Sequence, residues 1–116
     1  MPIVRKLTNK RLSQAVVHEQ TVYLAGQVGE PCEPIADQVR TALARVDALL
    51  EGVGTNKQHL LQVIILLADL ADFDAMNSVW ESWVPEGHAP VRASAQAALV
   101  DPDLRVEFIV TAAIPR

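Results

Sequence analysis

The sequence has little cysteine and few aromatic residues. Cys32 is the single cysteine in 116 residues, so no internal disulfide can form, and a reducing compartment such as the cytoplasm is the expected location. Aromatic residues make up only 4% of the chain, although half of the chain is hydrophobic. A core built from small aliphatic side chains in so short a chain is compatible with burial that is completed by oligomerisation.

Two further shortages exclude two classes of function. Basic residues are outnumbered by acidic ones, the formal net charge is −4 and no Lys/Arg stripe is present, which argues against a general nucleic-acid binder. The longest apolar run, residues 63–68, is far too short to span a bilayer, and the first residues contain no apolar core of a signal peptide. We therefore expect one soluble domain over residues 1–116, with neither a nucleic-acid nor a membrane partner.

Hydrophobic periodicity and turn residues predict two helices and five strands. Apolar residues recur at helical spacing in two stretches, the first after Pro34 and the second after Asp69 and Asp72, which are typical helix caps. Trp80 and Trp83 share the apolar stripe of the second helix, which predicts packing rather than a ligand pocket. The order β-β-α-β-α-β-β indicates an α+β fold with both helices on one face of a mixed sheet. The predicted helices cover residues 34–51 and 72–84, and the predicted strands cover residues 13–17, 21–27, 60–68, 91–100 and 104–114.

Motifs for metals and nucleotide cofactors are missing from the sequence. His18, His59 and His88 fall in three separate predicted turns, and no HxH, HExxH or CxxC spacing occurs. Neither a GxGxxG nor a Walker A pattern is present. Cys32 lies in a loop without a neighbouring base, which favours a spectator thiol. The sequence therefore predicts no metal and no cofactor.

Two charged residues, Arg92 and Glu107, fall within the last two predicted strands. If the turn at residues 101–103 closes an antiparallel hairpin, Ser94 lies roughly opposite Val110, and Arg92 and Glu107 could flank one pocket. Two interpretations remain open at this point. The charges form a structural ion pair or face solvent, or Arg92 binds a ligand carboxylate through its fork of donors while Glu107 holds a water molecule.

Five segments, taken in order, resemble one known family. They are VYLAGQV at 22–28, DQVRTALARVDALLEGVG at 37–54, VIILLADLADFDAMNSVW at 63–80, HAPVRASAQAAL at 88–99 and RVEFIVTAA at 105–113. Together they resemble the Rid family of reactive-intermediate deaminases, also called the YjgF family, over nearly the whole chain. Within this family, the sequences of the five segments are most similar to those of the short bacterial members typified by YoaB.

The resemblance implies a chorismate-mutase-like α+β fold assembled as a homotrimer with clefts between subunits. It also implies hydrolysis of enamines and imines such as 2-aminoacrylate to 2-oxo acids and ammonia, without a cofactor. By this resemblance Arg92 holds the carboxylate of the small-molecule substrate, and Glu107 positions the attacking water. Ser94 falls where the family's backbone contacts substrate.

Four further positions belong to the implied substrate-binding set. Gly26 matches a glycine in the cleft wall, and Asn77 matches a family asparagine that contacts either substrate or neighbouring protein groups. Leu12 and Ala25 stand where the family has a tyrosine and a serine, so two hydroxyl groups are absent. The alternative to a deaminase is a non-catalytic trimer that binds small carboxylates or 2-oxo acids. RNA cleavage, which has been attached to some relatives, is disfavoured by the acidic charge.

Overall fold

A computed structural model describes residues 2–116, and within them the chain forms seven strands and two helices. In chain order these are β1 (Ile3–Thr8), β2 (Ser13–His18), β3 (Thr21–Leu24), β4 (Gln27–Val28), α1 (Ile35–Gly52), β5 (Leu60–Leu67), α2 (Phe73–Trp83), β6 (Val91–Gln96) and β7 (Val106–Ala113). Neither helix in this range is long and apolar enough to cross a membrane.

The strands form one mixed sheet in the order β1-β2-β3-β7-β5-β6, and the short β4 pairs with β7. Every pairing is antiparallel except that of β5 with β6. Apolar side chains of α1 and α2 pack with one face of the sheet to form the core. This confirms the predicted α+β class with two helices on one face of a mixed sheet.

The core follows from the alternation of strand side chains and the helical repeat. In β5, Val63, Ile65 and Leu67 are fully buried, and the residues between them are half-buried on the opposite face of the sheet. The predicted apolar stripe of α2 also lies in the core, where Met76 and Trp80 are buried. One face of the sheet is thus closed by the helices, and we call the other the open face.

Two strands were not predicted. All six residues of β1 are exposed, and their sequence, IVRKLT, lacks the alternation of polar and apolar residues that identifies a half-buried strand. The predicted strand 21–27 is interrupted at Ala25 and Gly26, after which β4 pairs with β7 at Phe108 and Glu107. The predicted order therefore lacked one edge strand and one short strand.

The predicted hairpin between the last two strands is wrong. β5 lies between β6 and β7, so Ser94 pairs with Ile65 and not with Val110. β6 is parallel to β5 because α2 returns the chain to the end of the sheet at which β5 began. Strand β6 ends at Gln96 rather than at residue 100, and residues 97–105 cross the end of β5 to reach β7.

A buried amide fixes the far end of this crossing. Gln38, on α1, has no exposed surface. Its Nε2 donates to the carbonyl oxygens of Glu33 at 2.9 Å and Asp103 at 3.2 Å, and its Oε1 accepts from the backbone N–H of Arg105 at 2.8 Å. Because both donors and the acceptor have partners, the start of β7 is held in one position relative to α1.

Asp72 was predicted to cap α2, but its side chain makes no capping hydrogen bond there. Instead its two carboxylate oxygens accept from Arg105, Oδ1 from Nη2 at 2.6 Å and Oδ2 from Nε at 3.0 Å. The other predicted cap, Asp69, accepts from the N–H of Ala71 and begins the short 3-10 turn Leu70–Asp72 before the helix. The Asp72–Arg105 pair ties the start of α2 to the start of β7.

Candidate functional site

Arg92 lies on β6, the edge strand of the sheet, with its side chain on the helix face. It pairs with the fully buried Val63, and paired residues of neighbouring strands project to the same side. Its Nη1 donates to Oδ1 of Asn77 on α2 at 2.7 Å. The guanidinium carbon lies 5.8 Å from the ring centroid of Phe73 and 5.6 Å from that of Trp80. Arg92 is exposed, and none of the three ion pairs among residues 2–116 includes it.

Glu107 lies near the middle of the sheet, on its open face. It pairs with Leu66 of β5 on one side and with Val28 of β4 on the other, and it is half-buried. Its carboxylate covers Gly26. A Cβ atom added to Gly26 would overlap Oε2 of Glu107 and lie 2.8 Å from its Cδ, so a glycine is needed for the carboxylate to keep this position.

Arg92 and Glu107 lie on opposite faces of the sheet. Arg92 pairs with Val63 and Glu107 with Leu66, and side chains three positions apart on one strand project to opposite sides. The two residues therefore do not flank one pocket of a single chain, as the hairpin interpretation allowed. No ion pair of residues 2–116 includes either of them, and the exposure of Arg92 agrees with the alternative that the charge faces solvent.

The other predicted site residues, apart from Leu12, divide between these two faces of the sheet. Ser94 is exposed on β6 and lies on the same face as Arg92, two residues further along the strand. Ala25 precedes Gly26 and donates its N–H to the carbonyl of Gln14. Leu12 lies in the turn between β1 and β2 and is 45% exposed. We define the arginine half-site as Phe73, Asn77, Trp80, Arg92 and Ser94, and the glutamate half-site as Ala25, Gly26 and Glu107.

Sequence reasoning missed the contact of Phe73 and Trp80 with Arg92. It assigned Trp80 to packing, and Trp80 is indeed in the core, but it also faces the guanidinium. The signal was present in the spacing, because residues 73, 77 and 80 are four and three positions apart and so share one face of a helix. The sequence does not show that β6 lies beside that face of the helix.

Neither half-site is an enclosed pocket by itself. A cavity of about 440 Å³ lies between α1 and the ends of β2 and β4, and its lining includes Gly26 but neither Glu107 nor any residue of the arginine half-site. Among residues 2–116 no three His, Cys, Asp or Glu side chains are grouped so that they could hold a metal ion. The arginine and glutamate half-sites thus share neither this cavity nor a face of the sheet.

Cys32 lies outside both half-sites, exposed in the loop before α1. A hydrogen bond with Asp103 and the negative charge of that carboxylate raise the pKa of the Cys32 thiol, with smaller contributions from desolvation and Asp101. A raised pKa disfavours the nucleophilic thiolate. This agrees with the predicted spectator role.

Fold and half-sites together define a class of small α+β domains, in which two helices cover one face of a mixed sheet and leave the other face open. Within that class, the chain belongs to the endoribonuclease L-PSP family, whose sequence profile matches residues 4–114. The resemblance to the YjgF family is confirmed by a solved relative, NMB1025 of Neisseria meningitidis, described as a member of the YjgF protein family. That structure is 38% identical and has a TM-score of 0.97, over 100% of this chain and 98% of the other.

Two curated relatives are similar in sequence. The RutC family protein YoaB of Escherichia coli K12 is 42% identical over 114 residues, which cover 98% of this chain and all of YoaB. A mouse protein named 2-iminobutanoate/2-iminopropanoate deaminase is 30% identical over 103 residues, which cover 83% of this chain and 76% of that protein. The nearer of these two relatives thus has a family name only, and the more distant one is named for an activity.

Proposed function

We propose that the protein is a hydrolytic deaminase that converts enamine and imine intermediates of the 2-aminoacrylate type to 2-oxo acids and ammonia. The observation that carries the proposal is the geometry of Arg92. Its guanidinium is exposed and unpaired with any carboxylate of residues 2–116, and only its Nη1 donates to a protein acceptor there. The remaining donors can form the bidentate contact that a carboxylate accepts. The name of the mouse relative supports the same chemistry.

The proposed active unit is a homotrimer with a cleft between each pair of neighbouring subunits. Since Arg92 and Glu107 lie on opposite faces of one sheet, a small substrate can contact both only if they come from different copies. The open face is suited to such assembly, because it presents apolar side chains on the same side of the sheet as Glu107, with Tyr23 49% exposed and Val91 66% exposed. Exposed apolar surface of this kind marks interaction sites.

The proposed chemistry needs only water and the two half-sites. Arg92 of one subunit binds the carboxylate of the imine and fixes the position of its electrophilic carbon. Glu107 of the neighbouring subunit accepts a proton from water as the new C–O bond forms, and it passes that proton to the nitrogen. The product of this addition is a carbinolamine. Its hydroxyl proton then moves through Glu107 to the nitrogen as the C=O bond forms and the C–N bond breaks, so ammonia leaves and the 2-oxo acid remains; an enamine enters the same path after its terminal carbon takes a proton to give the imine. Acid–base assistance of this kind contributes about 10²–10⁴-fold.

The rival proposal is a trimer that binds small carboxylates without turnover. Leu12 and Ala25, which offer no side-chain hydrogen bonds, favour it, because nothing there orients a water molecule or an imine nitrogen. RNA cleavage, which the family description mentions, is less well supported, since a net charge of −4 repels a polyanion.

The test is a coupled assay in which an amino-acid oxidase generates imines from several amino acids and the release of 2-oxo acid is followed. Wild type should accelerate the release. Arg92→Ala should lower kcat/KM by about 10²-fold or more through loss of the charged hydrogen bonds, and Glu107→Gln by about 10²–10⁴-fold. Arg40→Ala, which removes an exposed arginine elsewhere, is the matched control. Binding of 2-oxo acids without acceleration of any imine would favour the rival.

A further inference from the structure

Three side chains on one face of α2 lie next to the guanidinium of Arg92. Phe73 and Trp80 each present a ring within 6 Å of the guanidinium carbon, at 5.8 and 5.6 Å, and Asn77 between them accepts the hydrogen bond from Nη1. A cation at this distance over an aromatic face is attracted by the negative charge density of the ring. A planar guanidinium can also stack on such rings, which an ammonium cannot do.

Trp80 is itself held in place by the core. Its ring is nearly parallel to that of Phe108, with an interplanar angle of 4° and centroids 6.2 Å apart, and only 5% of the residue is exposed. The ring that faces Arg92 therefore cannot turn away without disturbing the core. Phe73 is half-buried at the start of α2 and touches the same guanidinium.

Trp83 provides an internal comparison. It lies on the same helix, 5.4 Å from Trp80 between ring centroids. Its indole N–H donates to Asp47 at 3.0 Å, and Lys57 lies over its ring at 5.1 Å. Trp83 thus connects α2 to α1 and to the turn before β5, whereas Trp80 and Phe73 connect α2 to the arginine of the candidate site.

We propose that Phe73 and Trp80 are positioning residues that hold the Arg92 guanidinium ready to bind a carboxylate. An arginine free in solvent samples many rotamers and must lose that freedom on binding, whereas an arginine already fixed by two rings loses less. The rings act on the bound carboxylate only through Arg92. The inference rests on the proposed function in assigning the carboxylate to Arg92, and it extends that function by naming what sets the affinity.

The test uses leucine variants that keep bulk but remove the ring. Phe73→Leu and Trp80→Leu should each weaken binding of 2-oxobutanoate, measured by calorimetry, by about threefold to tenfold. In the imine assay KM should rise by a similar factor while kcat changes less, because a carboxylate contact is made equally in the ground and transition states. Trp80→Phe should restore most of the affinity. Trp83→Leu, the matched control, should leave it within twofold.

A second readout needs no ligand. Ring currents should shift the Arg92 Nε–H proton in the NMR spectrum of the free protein, with the signal assigned by its loss in Arg92→Lys. The shift should shrink in Phe73→Leu and Trp80→Leu and persist in Trp83→Leu. An unshifted signal in wild type would overturn the inference. If Trp80→Leu does not fold, Phe73→Leu decides the question alone, since its site is only half-buried.

The outcomes separate the two proposals. Wild type that binds 2-oxobutanoate without accelerating imine hydrolysis refutes the deaminase and leaves the positioning role to be judged by affinity. Unchanged affinity in Phe73→Leu and Trp80→Leu, or a loss of kcat with unchanged KM, refutes the positioning role even if the enzyme is active. Wild type that binds no carboxylate refutes both.

Discussion

If each cleft takes its arginine half-site from one subunit and its glutamate half-site from the next, two inactive variants should restore each other. The variants are Arg92→Ala, which keeps a complete glutamate half-site, and Glu107→Ala, which keeps a complete arginine half-site. The prediction follows from strand register alone, because Arg92 pairs with Val63 and Glu107 with Leu66 on opposite faces of the sheet.

The expected recovery can be calculated. In a cyclic trimer every cleft joins the same two different surfaces of neighbouring copies. With equal amounts of the two variants mixed at random, the first copy at a cleft retains Arg92 in half the cases, and the second retains Glu107 in half the cases. About one quarter of the clefts in the whole mixture should then be complete. Every trimer that contains both variants has one complete cleft of its three, so mixed trimers freed of both homotrimers should show about one third of wild-type activity.

The assay compares co-expressed variants that carry different affinity tags with each variant purified alone. Mixed assemblies are isolated by both tags in succession, their composition is verified by native mass spectrometry, and imine hydrolysis is measured. Co-expression of Arg92→Ala with the double variant Arg92→Ala/Glu107→Ala is the control, since no mixture of these two contains a complete cleft. Mixed assemblies with no more activity than the control would show that the two half-sites do not meet across subunits.

Two further predictions concern the frame of the site and the lone cysteine. Asp72→Asn should lower the free energy of unfolding by about 1 kcal/mol in urea melts, because it removes charge from a buried carboxylate that makes a bidentate contact with the partly exposed Arg105. Asp37→Asn, in a pair with both side chains exposed, should cost less than about 0.5 kcal/mol, and equal losses would contradict the assignment. Because Asp103 raises the pKa of the Cys32 thiol, Asp103→Asn should lower that pKa and speed alkylation at mildly alkaline pH, and an unchanged or slower rate would contradict it.

Local patterns were sufficient for the helices and the central strand. α1 repeats Val39, Leu43, Val46 and Leu50 at helical spacing and follows Pro34, so its predicted and observed bounds differ by one residue at each end. The run that forms β5 was predicted to within one residue because a stretch that is apolar except at Gln62 must be buried on at least one face.

The sheet partners of β6 and β7 could not be predicted from the residues close to them in the sequence. The turn residues at 101–103 and two β-rich flanks indicate a hairpin, yet β5, from much earlier in the chain, lies between the two strands. The position of β5 between these two strands is decided by burial across the whole sheet, and the residues near the turn carry no information about that burial. The side chain alternation within each strand was predictable, but the relative faces of Arg92 and Glu107 depend on how both strands register with β5.

The candidate residues themselves were easier to find than their arrangement. Arg92 and Glu107 are the single charged residues of β6 and β7, and such departures from pattern are visible in a single sequence. Their division between two half-sites required the strand order. To predict the contact of the Phe73 and Trp80 rings with Arg92, the position of β6 beside α2 must be known, and that position also depends on the topology.

The amide of Gln38 holds the register of β7, so a substitution at position 38 should affect the position of Glu107. A slip of β7 by one residue would move Glu107 to the helix face and bring its apolar neighbours to the open face. Gln38 opposes that slip, since two of its three hydrogen bonds are made only when Asp103 and Arg105 stand at their observed positions. A change to glutamate would set carboxylate oxygens against two carbonyls. Gln38→Glu should therefore disturb the position of Glu107 through the register of β7.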